Sequence, residues 1–357
     1  MKPLSRRDVL RLLATTAGAL TLNQILAACG LDETALSTTG PPTQAPTEAP
    51  TATKTSSSPT PAPEETTEVD PTATVEEPQP TATATERAFP DLVVARNGEP
   101  ETLVRRALAA MGGMEKFVPK GSDVIIKPNI CVRFLTYEYA ATTNPWVIGT
   151  LVKMAYEAGA GRVRVMDHTW RREMTDSYIN SGIQKQVEEA GGEMEWMPKE
   201  KFIPTELPHG VDLKSLDLYD EILNTDVLIN VPIAKNHQDA RLTLGMKNLL
   251  GVMDDRLTMH TNMGQRIADL SSRVRPTLNV MDAVRMMMDN GPASGYLGDV
   301  KQMNTVIVSQ DIVALDSYTA TLFDMQPSDL DYVRAAAAMG LGRSDLKSLK
   351  IEEFSVS

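Results

Sequence analysis

The residues best suited to chemistry are concentrated between Pro232 and His260. The candidates in this stretch are its two lysines, its two histidines and one of its amide side chains, namely Lys235, His237, Lys247, Asn248 and His260. Lysine ammonium groups bind phosphate or carboxylate as point charges, and an imidazole titrates near neutral pH, where a general base works best. We therefore expect a site for a small anionic ligand. If the protein is an enzyme, His237, His260 and Lys235 are the candidate catalytic residues.

A metal ion is the alternative ligand of the same stretch. Two histidines and a carboxylate form a common ligand set, and Asp254 or Asp255 would supply the carboxylate beside His237 and His260. The spacing between the two histidines matches no standard metal motif, and the HExxH, CxxC and EF-hand patterns are absent. Each charged residue, taken singly, also fits a solvated loop. The sequence leaves these interpretations open.

Polar side chains also stand where apolar, strand-like runs end. The run at 124–126 leads into Lys127 and Asn129, and the run at 306–309 leads into a helix that carries Asp316. Ligands of parallel sheets bind beyond the carboxyl ends of the strands, so these side chains are candidates for ligand or cofactor binding. Lys247 and Asn248 join them, because a lysine within the apolar run LGMKNLLGVM needs a partner or a water-filled cavity.

The pattern around these residues predicts an α/β domain over residues 88–357. Short β-branched runs alternate with longer amphipathic segments, which indicates βαβ units and a largely parallel, twisted sheet with helices on both faces. We expect strands at Leu92–Arg96, Val124–Lys127, Arg162–Met166, Glu193–Met197, Val227–Val231, Leu278–Asp282 and Thr305–Ser309. We expect helices at Glu101–Met111, Pro145–Glu157, Tyr178–Ala190, Ile312–Phe323 and Asp329–Met339.

Residues 1–28 read as an export signal that ends at a lipidation site. The segment SRRDVL (5–10) fits the twin-arginine pattern, and an ordinary secretory signal with a chance arginine pair is the alternative. The segment LAAC (26–29) resembles a bacterial lipobox, in which the thiol of Cys29 is acylated. We therefore expect an extracytoplasmic protein that is lipid-anchored to the bacterial cell membrane. Its partners would include the twin-arginine translocase and the lipoprotein-processing enzymes.

Residues 29–87 are predicted to form a disordered linker behind the lipidated cysteine. Ten of the 23 prolines and 16 threonines lie between residues 31 and 87, which hold no Phe, Trp or Tyr. Such a segment cannot bury enough apolar surface to offset the entropy of ordering it. The linker and signal together leave a formal charge of −7 on residues 88–357, and an acidic domain of this kind argues against nucleic acid as a partner.

The cysteine count limits the cofactors that this chain can hold alone. If Cys29 is acylated, Cys131 is the remaining thiol, which excludes an internal disulfide. A four-cysteine iron–sulfur cluster encoded within the chain is excluded as well. The cofactor is therefore unknown, with a metal ion as the named alternative. Export in a folded state, as in the twin-arginine route, favours a cofactor that is loaded inside the cell.

The order of several motifs resembles the family known as domain of unknown function 362. The segments that carry the resemblance are VIIKPNI (124–130), SGI (181–183), DVLINVPIAKNH (226–237), LTLGMKNLLGVM (242–253), NVMDAV (279–284), NGP (290–292) and SQDIVALD (309–316), together with His260. Many members carry a cysteine-rich, ferredoxin-like segment that this chain lacks, and Ile312 stands where proline is usual. The resemblance implies a fold and a set of motif residues, but it implies no reaction.

Two further interpretations compete with a catalytic or cofactor site. A solute-binding or assembly lipoprotein would use the same pocket without chemistry, and a long tether suits that role. A structural surface protein would use the polar residues as hydrogen bonds that stabilise the fold. Whether the chain is an enzyme is therefore left open by its sequence.

Overall fold

The computed structural model describes residues 88–169 and 174–356. The predicted signal (1–28), the predicted linker (29–87) and the candidate lipidation residue Cys29 lie outside the described residues. Within the described part of the chain, no helix is both long and apolar enough to span a bilayer.

Ten strands of the described region form one sheet, and two more form a separate antiparallel ribbon. The strands are β1 (Leu92–Arg96), β2 (Asp123–Pro128), β3 (Arg162–Val165), β4 (Glu193–Met194), β5 (Phe202–Glu206), β6 (Ser215–Tyr219), β7 (Val227–Val231), β8 (Ile233–His237), β9 (Arg241–Thr243), β10 (Leu278–Met287), β11 (Val300–Ser309) and β12 (Ile351–Ser355). The main sheet runs β12-β1-β11-β10-β7-β2-β3-β4, while β8 pairs with β10 and β9 with β8. Strands β5 and β6 form the ribbon.

Pairing in the main sheet is mostly parallel. The parallel pairs are β10 with β7, β7 with β2, β2 with β3, β3 with β4, β10 with β8, and β1 with β12. The antiparallel pairs are β1 with β11, β10 with β11, and β8 with β9. The predicted α/β class with a largely parallel sheet is confirmed.

Helices cover both faces of this sheet. They are α1 (Pro100–Ala110), α2 (Pro145–Glu157), α3 (Met174–Asn180), α4 (Ile183–Glu189), α5 (Asp220–Asn224), α6 (Gly245–Asn248), α7 (Met263–Arg273), α8 (Ile312–Thr321) and α9 (Asp331–Ala338). Along β2, Val124 and Ile126 join one buried core with α1, α2 and α4, whereas Ile125 joins a second core with α7, α8 and α9. Successive strand residues point to opposite faces, which explains the continuous apolar run.

Local sequence explains where several helices begin and end. Asn144 accepts a hydrogen bond from the Trp146 amide (3.0 Å) at the start of α2, and Asp311 accepts from two amides at the start of α8. Both are N-cap interactions. The single helix expected over Tyr178–Ala190 is wrong in one respect, because the chain divides it into α3 and α4 at Gly182, which adopts a φ of +76°.

The strand predicted at Val227–Val231 is followed, after Pro232, by a second strand, β8. The sequence did not predict β8. Strand β7 pairs with the first residues of β10, and β8 pairs farther along the same strand, with Ile233 opposite Asp282. Strand β8 therefore extends past the carboxyl end of β2. Side chains two residues apart on a strand share a face, so Lys235 and His237 project from the same side of β8.

Candidate functional site

The first buried cation is Lys127, near the end of β2. Its Nζ lies 2.7 Å from Asp167 Oδ1 and donates to the Pro128 carbonyl (2.9 Å). Asp167 follows the neighbouring strand β3, and its second oxygen accepts from the Ile130 amide (2.7 Å). Burial lowers the pKa of Lys127, and the Asp167 charge opposes that shift. The residue expected to bind a ligand is thus engaged by protein groups.

Lys235 is the second buried cation, with 1% of its surface exposed. Its Nζ donates to Asn129 Oδ1 (2.9 Å) and to the Ala141 carbonyl (2.7 Å). Burial lowers the pKa of Lys235, while the side chain of Cys131 acts in the opposite direction. The structure therefore brings together Asn129 and Lys235, two predicted site residues that are far apart in sequence.

Four asparagines form a hydrogen-bonded row, in the order Asn129, Asn248, Asn230 and Asn279. Each Nδ2 donates to the Oδ1 of the next residue, at 3.0, 2.8 and 3.1 Å. Lys235 donates to the first oxygen of the row, and the last amide group faces the carbonyls of Ser309 and Gln310 at 3.3 Å. The row thereby joins β2, α6, β7 and β10 by side-chain hydrogen bonds.

Lys247 and Arg256 are two further cations at this edge of the sheet. Together with Lys127 and Lys235 they form a group that we call the cation cluster. Lys247 on α6 is half-buried, and burial together with the Lys235 charge lowers its pKa to about 8. Arg256 donates from Nε to the Leu250 carbonyl (3.2 Å), and its buried Nη2 has no hydrogen-bond partner in the described region. Burial also lowers the pKa of Arg256.

Negative charge at the cluster is scarce. Asp167 is the buried carboxylate that acts on Lys127, Lys235 and Arg256. Asp239 acts on Lys247 from an exposed position. Among the described residues, the cluster therefore contains four cations but only two nearby carboxylates, of which one is buried and the other exposed.

His237 is held as an uncharged hydrogen-bond donor. Its Nδ1 accepts from the backbone amides of Asp239 (3.1 Å) and Ala240 (3.3 Å), so the proton of the neutral ring resides on Nε2. Burial and the Lys247 charge lower its pKa to about 2. This geometry suits donation to a ligand and does not suit the general base expected from the sequence.

Thr243 adds an unpaired hydroxyl on the same face as Lys235. The two residues lie opposite each other in the β8–β9 pair, and cross-strand partners share a face. Thr243 is 4% exposed, and its Oγ1 lacks a hydrogen-bond partner within the described ranges. A buried hydroxyl without a partner costs free energy that a ligand oxygen would offset.

The metal candidates do not converge. His260 is exposed, with Nδ1 3.8 Å from Asp239 Oδ2, and its charge acts on His237. Asp254 lies toward the β5–β6 ribbon, where its amide donates to the Asp217 carbonyl (3.1 Å). Across residues 88–169 and 174–356, no group of three His, Cys, Asp or Glu side chains is arranged to hold a metal ion.

Asp316 positions the helix that carries Lys247 and Asn248. It is fully buried, and its two oxygens accept from the amides of Gly245 (2.6 Å) and Met246 (2.9 Å). Burial raises its pKa to about 7. The sequence suggested that Asp316 binds a ligand or cofactor, but both oxygens are occupied by the first amides of α6.

Several residues in or around the cation cluster were not selected from the sequence as site residues: Cys131, Asp167, Asn230, Thr243 and Arg256. A signal existed for three of them. Asp167 ends a strand-like run, Asn230 interrupts the apolar run at 227–231, and Arg256 belongs to the polar stretch between Pro232 and His260. Cys131 and Thr243 gave no comparable signal.

The fold and these contacts define an α/β protein whose parallel strands end at buried cations and amides. Residues 124–321 match the family model described as domain of unknown function (DUF362). The match covers more than half of the chain, so the chain belongs to this family. That conclusion confirms the family resemblance seen in the sequence motifs.

One relative is the thylakoid-associated protein sll1697 of Synechocystis sp. (strain ATCC 27184 / PCC 6803 / Kazusa). It is 25% identical over 253 residues, which cover 67% of this chain and 74% of the relative. Among solved structures, the chain is similar to the lactate racemase apoprotein from Thermoanaerobacterium thermosaccharolyticum, at 12% identity and a TM-score of 0.39. The similarity covers 60% of this chain and 53% of the racemase, about half of its length.

A protein from Thermotoga maritima is also similar in structure. Its identity is 9%, and its TM-score is 0.33. The similarity covers 68% of this chain and 60% of that protein. At these TM-scores, neither solved structure bears on the function of this chain.

Replacing Gly251 by alanine is expected to disrupt the Lys127–Asp167 pair. A methyl group at Gly251 would lie 2.6 Å from Lys127 Nζ and would overlap Asp167 Oδ1. We expect a loss of about 1–3 kcal/mol in the free energy of unfolding, measured in urea, because the packed ion pair must shift. Gly295→Ala is the control, since its nearest neighbour would be Leu135 Cδ2 at 4.0 Å. Equal losses in the two variants would contradict the predicted clash.

The raised pKa of Asp316 predicts how the free energy of unfolding depends on pH. The folded state binds more protons than the unfolded state between the ordinary pKa of 3.8 and about 7. This group therefore makes stability fall as pH rises through that window. The difference in unfolding free energy between the wild type and Asp316→Asn should fall by about 4 kcal/mol from pH 4 to pH 7.

Asp282→Asn is the matched control for the Asp316 prediction. Asp282 is also fully buried, and burial raises its pKa to about 6. Its contribution should therefore level off about one pH unit earlier. Stability curves that stay parallel to the wild type in both variants would show that neither carboxyl group titrates in this window.

Proposed function

We propose that this protein binds an anion with several acceptor oxygens at the cation cluster. The observation that carries the proposal is the charge imbalance, because among the described residues four cations face a single buried carboxylate, Asp167. Removing an ammonium or guanidinium group from water is costly unless opposite charge and hydrogen-bond acceptors replace the solvent. The oxygens of a phosphate or carboxylate group would supply both.

Donors without partners support the same proposal. The Lys247 ammonium makes no hydrogen bond or ion pair within the described residues, and Arg256 Nη2 and Thr243 Oγ1 are unpaired as well. His237 contributes an Nε2–H group, since its Nδ1 is occupied by backbone amides. The charges of Lys247 and Lys235 act on His237, and the Lys235 charge acts on Lys247, so these groups belong to one site.

The binding role is compatible with catalysis and with a non-catalytic lipoprotein. In an enzyme, Lys235 and Lys247 would stabilise negative charge that develops on the ligand, and His237 would donate a hydrogen bond. A solute-binding or assembly protein would use the same contacts without a chemical step. The occupied Nδ1 of His237 favours the binding role, because it leaves this imidazole without a free acceptor.

We also propose that the domain works outside the cytoplasm while it is tethered to a membrane. The twin-arginine segment at 5–10 and the lipobox-like segment at 26–29 support this placement. The name of the Synechocystis relative associates that protein with thylakoids, which agrees with a membrane setting. Residues 29–87 would then be a flexible connection between the membrane anchor and the domain.

Binding of sulfate tests the proposed site, because sulfate keeps its charge across the pH range used. Lys247 loses its proton as pH rises through about 8, so wild-type affinity measured by calorimetry should fall roughly tenfold from pH 7 to pH 9. Lys247→Arg should bind equally at both pH values, because arginine stays charged. Lys247→Met should bind weakly at both. No detectable sulfate binding by the wild type, or the same pH dependence in Lys247→Arg, would refute the proposal.

Membrane anchoring is tested by fractionation of bacteria that express the full chain. Cys29→Ser removes the thiol that would carry the acyl chains, so this variant should move from the membrane fraction to the soluble extracytoplasmic fraction. Cys131→Ser is the matched control and should remain with the membranes. If both variants partition like the wild type, Cys29 is not the anchor.

A further inference from the structure

Exposed apolar side chains surround the same edge of the sheet as the cation cluster. We call five of them the apolar rim: Phe134 (64% exposed), Ile179 (56%), Leu257 (69%), Tyr296 (69%) and Leu297 (55%). Large exposed apolar groups that gather at one place on a folded domain mark a binding surface. Phe134 follows β2, and the Tyr296–Leu297 pair lies between β10 and β11.

Contacts between loops connect the rim. Asn180 Nδ2 donates to the Arg133 carbonyl (2.6 Å), which brings the end of α3 against the residue before Phe134. Leu135, the residue after Phe134, approaches Gly295: its Cδ2 atom would lie 4.0 Å from a Cβ atom placed on that glycine. Phe134 therefore lies between the segment that carries Ile179 and the segment that carries Tyr296 and Leu297.

The rim adjoins the cation cluster through the chain itself. Cys131, three residues before Phe134, acts on Lys235, Lys247 and Arg256. Leu257 directly follows Arg256. The cluster and the rim therefore share two short chain segments, 131–134 and 256–257.

The unpaired donors favour a phosphate monoester over a carboxylate. Lys247 Nζ, Arg256 Nη2, Thr243 Oγ1 and His237 Nε2 come from four different segments, and a carboxylate offers two oxygens. A terminal phosphate offers three oxygens and a higher charge. It matches both the number of donors and the excess of cations.

We propose that the ligand is the phosphate headgroup of an anionic lipid and that the apolar rim docks on the bilayer that presents it. This inference rests on the proposed anion site and adds the chemical class of its ligand. Residues 88–357 carry a formal charge of −7, so net charge does not attract the domain to an anionic surface. The attraction is therefore local. The cation cluster would bind the lipid headgroup, and the apolar rim would insert into the apolar part of the bilayer.

Vesicle binding by the full chain in a Cys29→Ser background tests the proposal without an acyl anchor. The probes are phosphatidylcholine vesicles with and without phosphatidic acid, and soluble sn-glycerol 3-phosphate. The test variant is Phe134→Ser/Leu297→Ser. Its matched control is Phe89→Ser/Val211→Ser, which removes an exposed phenylalanine (44%) and an exposed valine (60%) outside the rim.

We expect the wild type to prefer vesicles that contain phosphatidic acid. The rim variant should bind them roughly tenfold more weakly and still bind glycerol 3-phosphate as the wild type does. The control variant should match the wild type on both probes, and Lys247→Met should lose both kinds of binding.

Three outcomes would overturn the lipid proposal. Equal vesicle binding by the rim variant and the control, with glycerol 3-phosphate still bound, refutes the lipid ligand and leaves the anion site standing. Vesicle binding that survives Lys247→Met shows docking without headgroup recognition and refutes it as well. Failure of the wild type to bind either probe removes both the lipid proposal and the anion site.

Discussion

The constraint on which the site depends is the desolvation of two lysines at the carboxyl edge of the sheet. Lys127 and Lys235 are 0% and 1% exposed, and a buried ammonium group is costly unless protein acceptors replace the water that it loses. Lys127 takes Asp167 and a backbone carbonyl, while Lys235 takes Asn129 and the Ala141 carbonyl. Gly251 completes the arrangement, because any side chain there would displace the Lys127–Asp167 pair.

The hydrogen bonds around these lysines tie α6 to the edge of the sheet through side chains. The asparagine row extends the contacts of Lys235 across β2, α6, β7 and β10. Asp316 fixes the other side of α6 by accepting its first amides. The backbone at Lys247, on the same short helix, is therefore fixed, while its ammonium group has no partner within the described residues. A donor without a partner on a fixed helix is suited to ligand binding.

Much of this arrangement can be predicted from the sequence, because the pattern of apolar residues along the chain indicates which segments are buried. The apolar runs at 124–126 and 227–231 located central strands, and the rule that ligands bind at carboxyl ends brought Lys127, Asn129 and Lys235 to one edge. Periodicity does not report hydrogen-bond direction. The donor state of His237 depends on two turn amides, and the occupation of Asp316 depends on α6, which is contributed by a distant segment. Strand β8 was missed because proline normally ends a strand, whereas Pro232 here joins two strands that share β10.

The asparagine row has a fixed polarity with a consequence for the chemical ageing of the molecule. An ammonium group that can only donate sets one end, and carbonyls that can only accept set the other. Deamidation of any member would exchange an NH2 donor for a carboxylate acceptor, so two acceptors would face each other at the next step. Hydrolysis at Asn129 or Asn248 would thus remove a hydrogen bond between the sheet edge and the helix of Lys247.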